Sequence, residues 1–260
     1  MDSGGYDLSA CLFCGLSLDR PRTDDVETLL ADTREPPVQV TAVGSSWIVA
    51  DVAPISVGHA LVTPSTHVLS TSELDTPARD RLHELAHRLG RLLSDLSAGH
   101  GYVLFEHGTA VSRDEMEQPT KCGPTEHAHI HVVPKYLSID LTGLLREYSI
   151  TTGASIIEVG HLDTLHSHLR GANAYHYFEE RASTATTAVL YLPASDEPPS
   201  QLFRRFLVDL DVGAMASLSS EVRDWRDAVV LGGPAYASLL VRSLALVAEA
   251  SASLIAEDFG

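Results

Sequence analysis

The run His127-Ala-His-Ile-His-Val-Val-Pro134 constrains this chain more than any other segment. Histidine alternating with small or apolar residues has the period of a β-strand, whose side chains point to opposite faces in turn. His127, His129 and His131 therefore share one face, each about 6.6–7 Å from the next. Ala128, Ile130 and Val132 take the other face and can be buried, and Pro134 ends the strand. Three readings follow. The histidines can be surface residues of an edge strand. They can chelate a metal, since His-x-His pairs bind zinc well. Or they can act at phosphorus, because a neutral imidazole is a good nucleophile near pH 7 and a tolerable leaving group, and its neighbours can donate hydrogen bonds to phosphoryl oxygens.

The flanking segments place that strand in an α+β fold with an antiparallel sheet, since strands and helices mix without strict alternation. Strand formers fill 46–53, and Gly58-His-Ala-Leu-Val-Thr-Pro64 is a second short strand that ends at a proline. The clearest helix spans 77–98, with Thr76 as cap, Pro77 in the first turn and Gly99 as the stop. Its Leu82, Leu85, Ala86, Leu89, Leu92, Leu93 and Leu96 recur at steps of three and four. Tyr102–Phe105 is a strand and 107–124 a polar loop. Beyond Tyr136, helices are expected at 141–148, 161–169, 201–210 and 234–256. A strand is expected at 155–159, and 174–179 and 187–192 are expected to pair as a hairpin.

Charge and cysteine content bound the function. The 260 residues carry 35 acidic against 18 basic side chains, a formal charge of −17. That excludes a protein that wraps nucleic acid, which needs a basic footprint, but not one that binds a small anion. No run of about 18 consecutive apolar residues is present, so no membrane span or membrane partner is expected. The N-terminus has no basic and apolar leader, so a cytoplasmic location is the default. In a reducing compartment, Cys11-Leu-Phe-Cys14 reads as half a metal site rather than a disulfide.

Taken together, Gly58-His59, Pro64-Ser-Thr-His67, the helix and His127-Ala-His-Ile-His-Val-Val-Pro134 make the sequence similar to the histidine-triad (HIT) superfamily over about residues 8–136. The resemblance implies a HIT-like antiparallel sheet with packed helices over 1–138, followed by an α+β extension over 139–260. It also implies a nucleotide hydrolase or nucleotidyl transferase acting at the α-phosphate. His129 would form a nucleotidyl-histidine intermediate, His131 would contact the phosphate, and His59 would hold the phosphate or orient the nucleophile. Family members with an N-terminal Cys-x-x-Cys bind structural zinc, which maps here onto Cys11, Cys14, His67 and His127. Members are often homodimers, so a homodimer is implied as well.

The chain also departs from the usual pattern. Cys122-Gly-Pro-Thr-Glu126 stands where many members carry Gly-Gln-Ser or Gly-Gln-Thr, so the hydroxyl of Thr125 lies one residue nearer the triad. Phe105-Glu-His-Gly108 resembles a longer branch of the family and brings Glu106 and His107 to the site as substrate-binding residues. The tail of the same branch resembles the segment 199–226, which nominates Gln201 and Arg204 for a polar group and a distal phosphate. A nucleotide-binding module without turnover, or a zinc-stabilised interaction protein, is the competing reading.

Overall fold

Residues 13–14, 39–108, 127–136, 138–160, 168, 175–182, 186–193, 202–209 and 225–259 are described by a computed structural model. Eight strands lie among them: β1 (Val40–Val43), β2 (Ser46–Ala50), β3 (Ala60–Pro64), β4 (Tyr102–Gly108), β5 (Ile130–Pro134), β6 (Ser155–Glu158), β7 (Tyr175–Arg181) and β8 (Thr186–Leu192). They form one antiparallel sheet in the order β1-β2-β3-β5-β4-β7-β8-β6. The helices are α1 (Thr76–Leu96), α2 (Leu141–Thr152), α3 (Leu202–Asp209) and α4 (Trp225–Phe259). The α+β class with an antiparallel sheet is the observed one. One sheet spans both sides of position 138/139, because β7 pairs directly with β4.

Side-chain alternation divides the sheet between two helical layers. Tyr102, Leu104, Ile130 and Val132 face α1 and α4 and pack with Leu82, Leu89, Leu93, Leu240 and Val247. Val103, Phe105, Val133 and Phe178 face α2 and α3, against Leu141, Leu145, Phe203 and Leu207. A residue's parity on β4, β5 or β7 thus decides which layer it enters. Over Pro234–Glu257, α4 is long and apolar enough to cross a membrane by length and composition, although Arg242 and Glu249 interrupt its apolar run. Its Tyr236, Leu240, Leu244, Val247 and Leu254 are nevertheless buried within the first layer, so it packs as a core helix.

Several boundaries differ from expectation. The cap of α1 is Asp75 rather than Thr76, because the Asp75 carboxylate accepts from the Ala78 amide at 2.8 Å. At the other end, Ala98 and not Gly99 takes the left-handed conformation, with φ 54°. Gly99 serves close approach instead, since a Cβ there would come within 2.9 Å of the Lys135 carbonyl. The triad strand begins at Ile130 rather than His127, because the His127 carbonyl meets the His129 ring and not a neighbouring strand. β1 is not among the expected strands, although its Val40-Thr-Ala-Val43 is rich in β-branched residues and runs into a Gly44 turn. Of the helix expected at 161–169, only residue 168 is described, and it is helical.

Candidate functional site

The loop from Asp51 to His59 joins β2 to β3 and brings His59 against the triad strand. It closes on itself through Asp51 N–H to His59 O (3.0 Å) and His59 N–H to Ser56 O (3.2 Å). Gly58 adopts φ +82° and donates its amide to Ser243 Oγ of α4 at 3.1 Å. That conformation is what requires glycine, while a Cβ there would also press on the Leu246 side chain at 2.8 Å. Tyr136 and Tyr236 donate their hydroxyls to the carbonyls of Val57 and Val52. Residues from the C-terminal part therefore hold the loop that positions His59.

His59, His129 and His131 come together on the face of α2 and α3. His59 Nδ1 accepts the Ile55 amide at 3.3 Å, which puts the His59 proton on Nε2. That Nε2–H lies 2.9 Å from His131 Nδ1 and donates to it, so His131 carries its own proton on Nε2. His129 donates Nδ1–H to the His127 carbonyl at 2.8 Å, which leaves its lone pair on Nε2. Burial lowers the pKa of all three: His59 falls to about 4, His131 well below 6.5, and His129 below its usual value although the His127 carbonyl and Asp51 oppose the shift. The three imidazoles are thus neutral at pH 7. Phe105 stacks on His131 with ring centroids 4.2 Å apart, and Phe13 packs on His127 and His129.

Asp51 is a member of this cluster that no sequence pattern singled out. Its Oδ2 stands 3.3 Å from His59 Nε2 and 2.7 Å from the Arg204 guanidinium on α3. Arg204 also donates to the Ala53 carbonyl, so it is engaged with the loop rather than presented to a distal phosphate. Burial pushes the Asp51 carboxyl up, but Arg204, His59 and the Ala53 amide together hold it below its usual range. Asp51, His59 and His131 have the geometry of a metal-ligand triangle. The guanidinium against Asp51 already supplies the compensating positive charge, and the His59–His131 hydrogen bond accounts for the short contact.

The remaining candidates divide. His107 joins the cluster, its ring 6.1 Å from that of His131 and 5.6 Å from that of Phe203. Glu106 does not, because it has the opposite parity on β4. It faces α1 and accepts hydrogen bonds from Thr71 N–H, Thr71 Oγ1 and Tyr175 Oη at 2.6–3.0 Å. Cys11, Thr125 and Gln201 lie outside the described residues. His176 was also missed. Its only sequence signal is parity, since it stands directly across from His107 in the β4–β7 register.

Cys14, His67 and His127 form a separate cluster beside the triad. Cys14 Sγ is 3.3 Å from His67 Nδ1 and 3.6 Å from His127 Nδ1. Tetrahedral zinc at its ordinary bond lengths sets S and N ligands about 3.5 Å apart. His127 donates Nε2–H to the Pro64 carbonyl at 2.9 Å, which turns the Nδ1 lone pair toward Cys14, as outer-shell partners of zinc ligands do. The donor set and its spacing fit zinc.

The structure is thus an antiparallel sheet layered by helices, in which the β2–β3 loop and the start of β5 bring three tautomer-fixed histidines together. Residues 35–137 match the family model of the HIT domain. None of the curated proteins matches the chain. Among solved structures, the chain is similar to a HIT-like protein involved in cell-cycle regulation from Bartonella henselae (18% identity, covering 52% of this chain and 82% of that one, TM-score 0.35). It is also similar to yeast Ap4A phosphorylase in complex with AMP (12%, 67% and 65%, TM-score 0.36) and to a DUF4931 family protein from Bacillus cereus (9%, 76% and 97%, TM-score 0.41).

Proposed function

We propose that this protein is a nucleotide hydrolase or nucleotidyl transferase that works through a covalent intermediate on His129. The observation that carries this reading is the pair of opposite tautomers at the start of β5, on His129 just before the strand and His131 within it. His129 holds its lone pair on Nε2, while His131, fixed by His59, holds a proton on Nε2. A nucleophile and an electrophilic donor thus sit on adjacent same-face positions, their ring centroids 4.8 Å apart. His129 Nε2 forms a bond to the α-phosphorus. The bond from phosphorus to the leaving oxygen breaks, and its electron pair departs with the leaving group. Water or a second acceptor then attacks phosphorus, the P–N bond breaks, and its electron pair returns to Nε2. His131 Nε2–H stabilises the charge on the phosphoryl oxygens in both steps. The HIT-domain match supports a nucleotide as the substrate class.

Zinc on Cys11, Cys14, His67 and His127 belongs to the same reading. It would supply a structural crosslink and no open coordination position. The chain's own contribution is to set the backbone carbonyl of His127, which the His129 ring uses. Mass spectrometry of the intact protein after brief incubation with mononucleotides and dinucleoside polyphosphates tests the mechanism. A nucleotide-sized adduct on the wild type that is missing from His129→Ala supports it. Turnover by His129→Ala equal to the wild type sinks it. Binding with neither adduct nor product points to the module without turnover.

A further inference from the structure

His107 on β4 and His176 on β7 stand directly opposite each other in the sheet register. Their Nδ1 atoms are 2.6 Å apart. Both rings lie among aromatic side chains: His107 touches Phe105, Phe203 and His131, and His176 touches Tyr191 and Phe203. His176 is fully buried. Neither Nε2 has a hydrogen-bond partner among the described residues.

One proton can lie between two nitrogens at that distance. A neutral imidazole carries one N–H, so the two rings must be opposite tautomers. One has Nδ1–H and a lone pair on Nε2. The other accepts at Nδ1 and carries Nε2–H. The pair therefore offers one buried donor and one buried acceptor, and an unmatched buried N–H costs stability until a ligand meets it. An anion held beside His131 selects the arrangement in which His107, the partly accessible ring, is the donor. His176 then gives Nδ1–H to His107 Nδ1, as His59 gives Nε2–H to His131 Nδ1.

We propose that His176 is a positioning residue that fixes His107 as a second Nε2–H donor to the phosphoanion of the substrate, alongside His131. This rests on the reading of the site as a phosphoanion site but not on the covalent step. The two strands of the pair come from the two sides of the 138/139 position, so the C-terminal part of the chain supports the anion site through His176, while Arg204 holds the loop that carries His59. The dyad also explains two imidazoles in an aromatic pocket with no carboxylate paired to either among the described residues.

The test is nitrogen NMR of histidine-labelled protein, with AMP as the probe, on the wild type, His176→Phe and His176→Asn. Phenylalanine keeps the ring packing and removes the donor. Asparagine keeps an N–H close to the Nδ1 position. Expected are a His107 Nε2–H tautomer in the wild type, an AMP Kd raised about tenfold or more in His176→Phe, and recovery to within about threefold in His176→Asn. A His107 Nδ1–H tautomer in the AMP-bound wild type overturns the proposal. So does an unchanged Kd in His176→Phe, or a Kd in His176→Asn no better than in His176→Phe. If AMP does not bind the wild type, inorganic phosphate is the probe, and failure of both to bind overturns the proposal together with the phosphoanion reading. Absence of an adduct on His129 with these contrasts intact defeats the covalent mechanism and leaves this proposal standing.

Discussion

His59 Nε2 lies 2.9 Å from His131 Nδ1, and that contact sets which nitrogen of His131 faces away from the loop. The backbone amide of Ile55 fixes the tautomer of His59, and His59 fixes that of His131. A main-chain group thus determines the chemistry of a side chain two links away. His59→Ala removes the second link and lets His131 adopt either tautomer. The expected result is a fall in kcat for nucleotide turnover of about 10²-fold. His59→Gln, whose side-chain amide can place an N–H near the lost Nε2, is expected to retain several-fold more activity than His59→Ala. Steady-state kinetics on the two variants checks this, and equal rates would remove the tautomer argument.

Arg204 and Asp51 form the ion pair that anchors α3 to the loop, with both side chains largely buried. Arg204→Met leaves the Asp51 carboxylate buried without its strongest partner. It should cost about 3 kcal/mol at pH 7. The pH dependence has a definite sign. The folded carboxyl lies below its usual 3.8, so the pair stabilises the protein above pH 3.8, and that stabilisation is lost as pH falls through the lower folded value. The gap between wild type and Arg204→Met in urea melts should therefore narrow below about pH 4. A gap that stays constant down to pH 3 would contradict the assignment.

Glu106 tests the division of the sheet into two faces. It accepts three hydrogen bonds from Thr71 and Tyr175 in the layer under α1, away from the histidines. Glu106→Gln keeps one acceptor oxygen and introduces an amide N–H opposite donors. The expected cost is about 1–2 kcal/mol of stability, with kcat and KM unchanged. A large fall in kcat in a variant of near-normal stability would place Glu106 back in the site.

How much of this was legible in the sequence follows from the range of each signal. The triad strand, α1 and the β7–β8 hairpin carry their pattern within a dozen residues, and periodicity finds them. Parity along β4 could also have separated Glu106 from His107, because Phe105 and His107 share a face and Glu106 takes the other. Asp51 and His176 carry no local pattern. Asp51 acquires its role from an arginine 153 positions away, and His176 from a strand pairing that joins the two parts of the chain. Long-range register is set by the packing of whole layers, which no short window contains. The cap of α1 is a local case that propensity alone leaves open, since Asp75 and Thr76 both favour that position.

The cysteine cluster yields a test of the metal. Cys14 Sγ and the Nδ1 atoms of His67 and His127 lie at the edge lengths of a zinc tetrahedron. Cys14→Ser replaces a thiolate ligand with a poor one. The purified variant is expected to lose most of the zinc found by elemental analysis in the wild type. Tm is expected to fall by roughly 5 °C or more, and a strong chelator should bring the wild type toward the same Tm. Equal metal content in the two proteins would refute the site.

His83 presents the reverse case, a buried polar group whose removal should help. It lies on α1, 2% exposed, edge-on to Tyr177, and neither ring nitrogen has a hydrogen-bond partner among the described residues. Burial, with His87 and Arg79 nearby, holds its pKa at about 3 against a usual 6.5. The unfolded chain therefore takes up a proton below pH 6.5 that the folded protein refuses until about pH 3, so stability falls as pH drops through that window. His83→Leu removes both the unsatisfied nitrogens and the proton uptake. It should gain about 1–3 kcal/mol at pH 7.5, and roughly 2 kcal/mol more at pH 5, at about 1.4 kcal/mol per pH unit below 6.5. Urea melts at the two pH values measure both terms. A gain that does not grow on acidification would show that His83 is protonated in the folded state, and a loss at both values would show that the ring's packing against Tyr177 outweighs its desolvation.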